Sequence, residues 1–255
     1  MKKVIAAILA LTLTLAFAGC GKSKSDNSSG ETITFGTNAE FAPFEFVSAN
    51  GVIDNFDGID ICIANEIAKE NNAKAKIENM EFDSLLVSLQ NKQIDAVIAG
   101  MTITEERAES VNFSKPYYTA TQVMIVKEDS SIAKASDMSD KKICVIQGYT
   151  GEECVKKLGY KYVSFKKGTE AIEELVNNKC DVVVIDSATA EKYVKDNKGL
   201  KIVKDTEAFG SEEYAIAVNK DNTELLNKIN TAIEKLIKDG KVSEFAAKYA
   251  ESSAE

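Results

Sequence analysis

The 255-residue sequence contains no histidine and no tryptophan, and it has only two prolines. Without histidine the chain offers no imidazole base for a Ser-His-Asp triad or a Cys-His pair. It also offers no histidine ligand for a zinc ion. These absences exclude much of nucleophilic and zinc-dependent hydrolysis before any motif is considered.

Arginine is almost as scarce, because Arg107 is the only arginine among 31 basic residues. A guanidinium presents a rigid fork of N–H donors that grips a carboxylate through two parallel hydrogen bonds, which a lysine ammonium does not do. We therefore expect Arg107 to hold a carboxylate. The alternative is an arginine on the protein surface, paired with a glutamate of its own helix.

Positive charge is in deficit overall, with 31 basic residues against 40 acidic ones and a net charge of −9. Since a nucleic-acid partner needs a basic face, we expect none. Hydrophobic residues make up 44% of the chain and charged residues 28%, which is ordinary for a globular protein. The length is sufficient for two small domains.

The start of the chain has the features of an export signal. Two lysines precede an uncharged run over residues 4–18, which is shorter than the roughly 20 residues of a membrane span. Small residues precede Cys20 as in a bacterial lipobox, so we expect a signal peptide over residues 1–19 and lipidation of Cys20. A plain secretory signal is the alternative. Residues 20–31 then form a tether to the outer face of the bacterial cytoplasmic membrane.

The later cysteines number four, namely Cys62, Cys144, Cys154 and Cys180. None has the CxxC spacing of a metal site, so we expect neither a metal nor a cofactor. An even number in an exported chain permits disulfides, and the sequence does not choose among the three possible pairings. Their apolar neighbourhoods favour free, mostly buried thiols.

Short apolar runs alternate with amphipathic stretches from residue 32 onward, which predicts an α/β fold with largely parallel sheets. Strands are predicted over residues 32–37, 75–79, 94–99, 122–127, 142–147, 162–165, 182–186 and 214–219. Helices are predicted over residues 59–71, 82–92, 104–109, 151–158, 168–179, 187–195, 222–239 and 241–250.

A weak internal repeat indicates two similar halves and therefore two lobes. Asn91–Ile98 and Asn178–Ile185 each end a predicted helix and begin a predicted strand. Ligands bind beyond the carboxyl ends of strands in open α/β sheets. The residues that follow these two strands, Gly100–Thr102 and Asp186, are therefore candidate binding residues, and Met101 is among them.

Further binding groups follow the first strand and begin a later helix. Phe41 lies in a loop stiffened by Pro43, which makes its ring a platform for an organic side chain. Thr104 is followed by two glutamates, as at a helix N-terminus. This places Arg107 about one turn into the helix, near the Thr102 hydroxyl. A carboxylate receptor is the expected result.

The second half of the chain supplies a turn and a carboxylate. Gln147–Gly151 is a glycine-flanked turn between a strand and a helix, whose amides could hold an anion. No Gly-Lys-Ser or Gly-Lys-Thr follows it, so a nucleotide site is rejected. Asp186 ends an apolar strand, where it either caps the helix over 187–195 or pairs with a cation.

These groups together match the parts of an α-amino acid. The protein groups are a guanidinium fork that suits the ligand carboxylate, a carboxylate that suits the ligand ammonium, a hydroxyl, and an aromatic ring for the ligand side chain. The sequence shows no activated nucleophile and no evident acid–base pair. We therefore expect a binding protein rather than an enzyme.

A set of motifs resembles the extracellular solute-binding proteins of ABC amino-acid importers, over about residues 32–250. The motifs are Gly36–Asn38, Pro43–Glu45, Gly58–Asp60, Phe82–Leu85, Asp95–Val97, Thr102–Arg107, Pro116–Tyr118 and the turn at 142–151. The resemblance implies a two-lobed periplasmic-binding-protein fold of type II. Each lobe would be a mainly parallel sheet flanked by helices, with two crossover segments as hinges. We expect residues 32–119 and 214–250 in the first lobe, and 120–213 in the second.

The same resemblance implies roles for individual residues. Phe41 and Phe82 would sandwich the ligand side chain. Arg107 would grip the α-carboxylate, helped by the backbone N–H groups of Thr102 and Thr150.

The α-ammonium would be received by the Gly100 carbonyl, the Thr102 hydroxyl and the Asp186 carboxylate. The lobes would close over the ligand, as a population shift driven by contacts to both. By the resemblance, a monomer in its closed form would then dock on permease subunits that work with a cytoplasmic ATPase.

The choice of amino acid depends on residues around the ligand side chain. Phe82 suits stacking of a guanidinium. Glu40 is near enough in sequence to meet a distal cation. Asn38 departs from the pattern, since related binders of basic amino acids often have Asp at this place. We therefore expect arginine or lysine, with cystine or another polar amino acid as the alternative.

Two other classes share this two-lobed shape. Cyclohexadienyl dehydratases resemble the family and perform chemistry with carboxylates, but the lipobox, the tether and the lack of an evident general acid argue against an enzyme. A sensor ectodomain is the third class. We expect no in-chain sensor, since no later membrane span or kinase segment follows, while presentation of the ligand to a separate sensor stays open.

Overall fold

The computed structural model describes residues 30–251. The predicted signal peptide over residues 1–19, the lipidated Cys20 and most of the tether over 20–31 lie outside the described residues. Among the described helices, none has the length and apolar character needed to cross a membrane.

Strands and helices alternate along the described chain, as the sequence predicts. The strands are β1 (Thr32–Thr37), β2 (Glu40–Phe41), β3 (Glu45–Val47), β4 (Phe56–Asp57), β5 (Lys74–Asn79), β6 (Ala96–Val97), β7 (Val111–Phe113), β8 (Tyr118–Lys127), β9 (Ile143–Ile146), β10 (Tyr162–Phe165), β11 (Val182–Asp186), β12 (Leu200–Val203), β13 (Ser211–Tyr214) and β14 (Ala217–Asn219). The α-helices are α1 (Ile59–Glu70), α2 (Leu85–Gln90), α3 (Glu105–Ser110), α4 (Thr150–Lys157), α5 (Gly168–Val176), α6 (Ser187–Asp196), α7 (Thr223–Lys238) and α8 (Lys241–Glu251), and short 3₁₀ turns cover Phe82–Ser84 and Ala135–Met138.

Two sheets form the centres of two lobes, which confirms the predicted two-lobed α/β fold. The sheet of the first lobe has the order β5-β1-β6-β14-β7, and that of the second lobe has the order β10-β9-β11-β8-β12. Each is more mixed than the predicted mainly parallel arrangement. In the first sheet β14 runs antiparallel to both neighbours, and in the second β8 does so. The reason is that β8 and β14 lie where the chain passes between the lobes.

The two lobes are joined by β8 and β13, which pair antiparallel from Tyr118 opposite Tyr214 to Thr121 opposite Ser211. The predicted boundaries between residues 119 and 120 and between 213 and 214 fall within these two strands. The boundaries stay a prediction. Pairing of the two connecting strands places both crossings side by side beneath the groove between the lobes.

Helix α7 shows why the outer layer of the first lobe forms as it does. Its N-cap residue Asn222 accepts a hydrogen bond from the Leu225 N–H at 3.1 Å, which satisfies one of the free donors of the first turn. Leu225, Ile229, Ile233 and Leu236 are buried and follow one another at helical spacing. Burial of each such side chain stabilises the fold by roughly 1.5–3 kcal/mol.

The structure contains elements that the periodicity of the sequence does not reveal. Strands β2, β3 and β4 form a small separate sheet in the described chain, and each has only two or three residues. Strands this short give no alternation to detect. Together they fold the loop after β1 back on itself and bring Phe41 toward the groove between the lobes.

The cysteines contribute to packing in the described chain. Cys62, Cys144, Cys154 and Cys180 are free thiols, of which all but the half-buried Cys154 are buried. Between residues 30 and 251 there is no group of three or more acidic or cysteine side chains arranged to hold a metal ion.

Candidate functional site

A pocket lies between the two lobes and collects most of the residues that the sequence singles out. Its lining consists of Phe41, Phe82, Ala99, Gly100, Thr102, Arg107, Tyr149, Thr150 and Asp186. The first six of these residues belong to the predicted first lobe, and the last three belong to the predicted second lobe. Seven of the nine are predicted site residues, namely all except Ala99 and Tyr149. Their roles toward a ligand stay predictions.

Arg107 is buried, with 8% of its surface exposed, and it is held by both lobes. Thr104 caps α3 by accepting a hydrogen bond from the Arg107 N–H at 3.2 Å, which fixes the position of the arginine one turn into the helix. Nη1 of Arg107 donates to the Thr102 carbonyl at 2.8 Å, and Nη2 donates to the Gly148 carbonyl at 2.9 Å. These carbonyls orient the fork, and further guanidinium N–H groups stay available.

The charge of Arg107 has no direct counter-ion in the described part of the chain, where its guanidinium forms no salt bridge. Burial lowers the pKa of Arg107, while surrounding glutamates act in the opposite direction. A buried cation without an ion-pair partner is costly unless an anion joins it. The arrangement therefore suits an anionic ligand group and excludes the alternative of a surface pair.

Aromatic rings form one wall of the pocket. Phe82 packs edge-on against Tyr149 with ring centroids 4.7 Å apart, and Phe41 does the same at 5.3 Å. The Arg107 guanidinium lies over the Phe82 ring at 5.3 Å from its centroid. Faces of such rings accept apolar and cationic groups alike.

Gly100 occupies a position that only a residue without a side chain fits well. Its φ is +52°, and a Cβ added there would lie 2.5 Å from the Phe41 ring. The Gly100 N–H donates to the buried Asp60 carboxylate at 2.7 Å, and the Tyr117 hydroxyl donates to the same oxygen at 2.8 Å. Asp60 thus anchors Gly100 from below the pocket.

A second buried carboxyl group lies against Asp60. Glu45 is fully buried, and burial followed by the charge of Asp60 raises its pKa well above the ordinary value. Burial raises the pKa of Asp60 to about 6, although its hydrogen bonds from Gly100 and Tyr117 favour the charged form. Two such carboxyl groups cannot both ionise easily, so Glu45 is the one that retains its proton at neutral pH.

Asp186 ends β11 and projects into the pocket. It is 3% exposed, and its Oδ1 accepts a hydrogen bond from the Tyr214 hydroxyl. Its side chain makes no capping hydrogen bond to α6, so the helix-cap alternative is wrong. Burial and then the charge of Glu212 raise the pKa of Asp186 to about 7. A cation bound next to Asp186 would counteract both burial and the charge of Glu212, and so would favour the charged carboxylate.

Two threonine hydroxyls face each other across the pocket floor and share a partner. Oγ1 of Thr102 donates to Glu212 Oε2 at 3.0 Å, and Oγ1 of Thr150 donates to the same oxygen at 2.7 Å. The Gln122 amide donates to this oxygen at 3.2 Å and to Thr150 Oγ1 at 3.0 Å. A polar network therefore connects residues of both lobes.

Three predicted site residues do not line this pocket. Met101 is fully buried in the apolar core of the first lobe. Asn38 accepts a hydrogen bond from the Tyr149 hydroxyl at 3.1 Å, which places it behind the aromatic wall. Glu40 forms a salt bridge with Lys167 at 2.8 Å. Asn38 and Glu40 therefore contact the opposite lobe next to the pocket, and their contact with a ligand stays a prediction.

An acidic groove adjoins the pocket on the side of the connecting strands. Five glutamates and one lysine line it, namely Glu105, Glu106, Glu153, Glu212, Glu213 and Lys157. A cleft lined by one sign of charge raises the local concentration of the opposite charge. The approach to the pocket is therefore favourable to cations.

Besides Ala99, which precedes the predicted Gly100, sequence reasoning missed four residues of this site. Tyr149 lies inside the predicted turn, where its aromatic ring is the signal that was available. Gln122, Glu212 and Tyr214 lie on the connecting strands, and no local pattern marks them. Only the pairing of β8 with β13 brings these three side chains beneath the pocket.

Two α/β lobes joined by paired strands, with a polar pocket between them, define the class of hinged solute-binding proteins. The sequence matches the family of bacterial extracellular solute-binding proteins, family 3, over residues 33–252, and the chain belongs to this family. The predicted family is therefore confirmed.

Several relatives of this chain are named as amino-acid-binding proteins. A probable histidine-binding protein of Neisseria gonorrhoeae is 36% identical, with 98% of this chain and 96% of that protein covered. The arginine-binding extracellular protein ArtP of Bacillus subtilis is 32% identical, with 98% of each covered. The arginine-, lysine-, histidine-binding protein ArtJ of Geobacillus stearothermophilus has a crystal structure with a TM-score of 0.80 at 37% identity, covering 86% of this chain and 95% of that one.

Proposed function

We propose that this protein binds a free amino acid with a cationic side chain, arginine or lysine, in the pocket between its lobes. It does so outside the cytoplasm and delivers the amino acid to an ABC permease. The protein acts as a binder, and the chemistry of transport belongs to the permease and its ATPase.

The observation that carries the proposal is the placement of Arg107 and Asp186 around one pocket. Arg107 is a buried cation that forms no salt bridge within residues 30–251, and Asp186 is a buried carboxyl group whose charged form is disfavoured. An α-carboxylate supplies what Arg107 lacks, and an α-ammonium supplies what Asp186 lacks. A zwitterionic amino acid satisfies both groups at once.

Two features support a cationic side chain. Phe41, Phe82 and Tyr149 form an aromatic wall, on which a guanidinium or an alkyl-ammonium chain packs favourably. The adjoining groove is predominantly acidic. The names of the relatives agree with this class, since ArtP is an arginine binder and ArtJ binds arginine, lysine and histidine. In this proposal Glu40 meets the distal cation, in competition with Lys167.

The test is a binding screen of the protein after any carried ligand has been removed by unfolding and refolding. The twenty amino acids, ornithine and cystine are compared by thermal shift and then by calorimetry. A ligand at about 1,000 times its Kd adds about 4 kcal/mol to the stability of the folded state, which moves the melting temperature by several degrees. We expect large shifts with arginine or lysine. No shift with any amino acid would overturn the proposal.

We also propose that the protein is held at the membrane by a lipid on Cys20. A single acyl chain gives marginal anchoring, whereas a diacylated cysteine supplies two chains. The Cys20→Ala variant should move from the membrane fraction to the medium and should not incorporate labelled palmitate. Palmitate incorporation that persists in this variant would contradict the proposal.

A further inference from the structure

Glu212 lies on the strand that returns the chain from the second lobe to the first. Beside it, the Glu213 carbonyl accepts a hydrogen bond from the Ile103 N–H at 2.9 Å, and Tyr214 forms a β-bridge with Thr102. The backbone around Glu212 is thus fixed against the first lobe. Its side chain lines the acidic groove that adjoins the pocket, next to Thr102 and Thr150, which line both.

One oxygen of Glu212 receives three donors from separate parts of the fold. They are the Thr150 hydroxyl at 2.7 Å, the Thr102 hydroxyl at 3.0 Å and the Gln122 amide at 3.2 Å. Thr102 follows β6 in the first lobe, whereas Gln122 and Thr150 belong to the second. Glu212 therefore connects the two hydroxyl groups of the pocket through a single acceptor.

The donor and acceptor groups in this contact determine the direction in which each hydroxyl donates its hydrogen. A threonine hydroxyl has one hydrogen to donate and lone pairs that accept, whereas a carboxylate only accepts. Thr102 and Thr150 must therefore direct their hydrogens at Glu212. What each hydroxyl then presents to the pocket is a lone pair, which suits an ammonium and repels a carboxylate.

We propose that Glu212 is a positioning residue that orients the hydroxyls of Thr102 and Thr150 as acceptors and so makes the pocket select ligands that carry an α-ammonium. The inference rests on the proposed function, because it concerns how the same pocket recognises an amino acid. Glu212 acts through the two threonines and through its charge near Asp186. Without Glu212, either hydroxyl can turn its hydrogen toward the ligand carboxylate.

The test compares L-arginine with δ-guanidinovaleric acid, which is arginine without its α-amino group. Dissociation constants for both are measured by calorimetry on the unmodified protein, on Glu212→Leu and on Glu207→Leu. Glutamine would keep an acceptor oxygen at position 212, whereas leucine removes it. Glu207 is the matched control, because it is exposed, lies outside the lining of the acidic groove and loses the same charge. The measured quantity is the ratio of the two dissociation constants.

We expect the preference for arginine over its des-amino analogue to fall at least about tenfold in Glu212→Leu, because the hydroxyls lose the acceptor that orients them and the ligand ammonium loses an oriented partner. The preference should be unchanged in Glu207→Leu. A preference retained in Glu212→Leu, whatever its absolute affinity, would overturn the inference. Unmodified protein that binds no amino acid would instead refute the proposed function, and the inference with it.

A second pair of variants keeps the inference testable if Glu212→Leu does not fold. Thr102→Val removes the oriented hydroxyl, whereas Thr102→Ser keeps it. The preference for the α-ammonium should fall in the valine variant and persist in the serine variant. Equal preference in both variants would show that the hydroxyl does not discriminate between the ligands and would overturn the inference.

Discussion

Arg107 is oriented by backbone acceptors from both lobes, which fix the position of its fork at the pocket. Thr102 and Gly148 each accept from one terminal nitrogen, so the guanidinium plane is set by both lobes. A lysine at this position would reach with a single ammonium and would satisfy neither carbonyl in the same geometry.

The Arg107→Lys variant should therefore lose about 2–4 kcal/mol of binding free energy, the range for breaking one partner of a buried charge pair. Calorimetric titration with arginine measures this loss. Circular dichroism melting serves as the control, because folding must be retained for the comparison. Unchanged affinity would show that Arg107 does not contact the ligand.

We predict that Asp186 makes the binding of an amino acid depend on pH. Its pKa is raised to about 7, so a fraction of the ligand-free pocket is protonated at neutral pH. The ligand ammonium favours the charged carboxylate, so binding to the protonated form must release a proton. Affinity should thus be highest above pH 7 and should fall as pH decreases, by up to ~10-fold per pH unit below the pKa.

Calorimetry in buffers of different ionisation enthalpy measures the released proton directly. The Asp186→Asn variant should bind more weakly and should lose this pH dependence between pH 5.5 and 8, values chosen to lie either side of about 7. Wild-type affinity that stays constant across this range would contradict the role of Asp186 as the ammonium partner.

At the scale of elements, the point at which β6 ends matters more to the geometry of the pocket than the length of this strand. This two-residue strand delivers Gly100 with a positive φ directly beneath the Phe41 ring, and Asp60 of α1 fixes its N–H. An added methyl group would meet both an unfavourable backbone conformation and an aromatic ring.

The Gly100→Ala variant should lower both the melting temperature and the affinity for the amino acid. Gly159 supplies a matched control, since it also has a positive φ, of +76°, but a Cβ there would meet nothing within 4 Å. Gly159→Ala should cost only the backbone strain of about 1–2 kcal/mol and leave affinity unchanged. Equal effects of the two variants on affinity would exclude a role for the Phe41 contact.

At the scale of the whole molecule, polar contacts hold the lobes together across the pocket. Glu40 pairs with Lys167 at 2.8 Å, and the Gln147 amide donates to Asp83 at 2.9 Å. Exposed pairs of this kind contribute at most about 1 kcal/mol each. These two exposed pairs by themselves therefore contribute little to keeping the lobes closed.

We expect small-angle X-ray scattering to give a larger radius of gyration for the ligand-free protein than for the protein with saturating arginine. A ligand shifts such an equilibrium only by its different affinity for the two states. A non-binding amino acid from the thermal-shift screen serves as the control. Identical scattering with and without arginine would show that the lobes do not close on the ligand.

The amino-acid sequence by itself determined the alternation of strands and helices and the residues with special chemistry. Most predicted strands and helices are present within a few residues, because periodicity and capping residues such as Thr104 are local signals. The single strand predicted over 214–219 is wrong, because the structure divides it between the end of β13 and the start of β14. The scarcity of arginine identified Arg107, since compositional contrast needs no structure. The motifs of the family identified the fold.

Only the tertiary structure decided which side chains meet. Glu212 and Thr102 are separated by 110 positions and share a hydrogen bond because β13 crosses between the lobes. Tyr149 and Asn38, 111 positions apart, share a hydrogen bond because the two lobes lie against each other beside the pocket. Such contacts depend on strand pairing and lobe closure, which no local pattern encodes. The sequence therefore specified the parts of the site, and the packing of two lobes decided how they are combined.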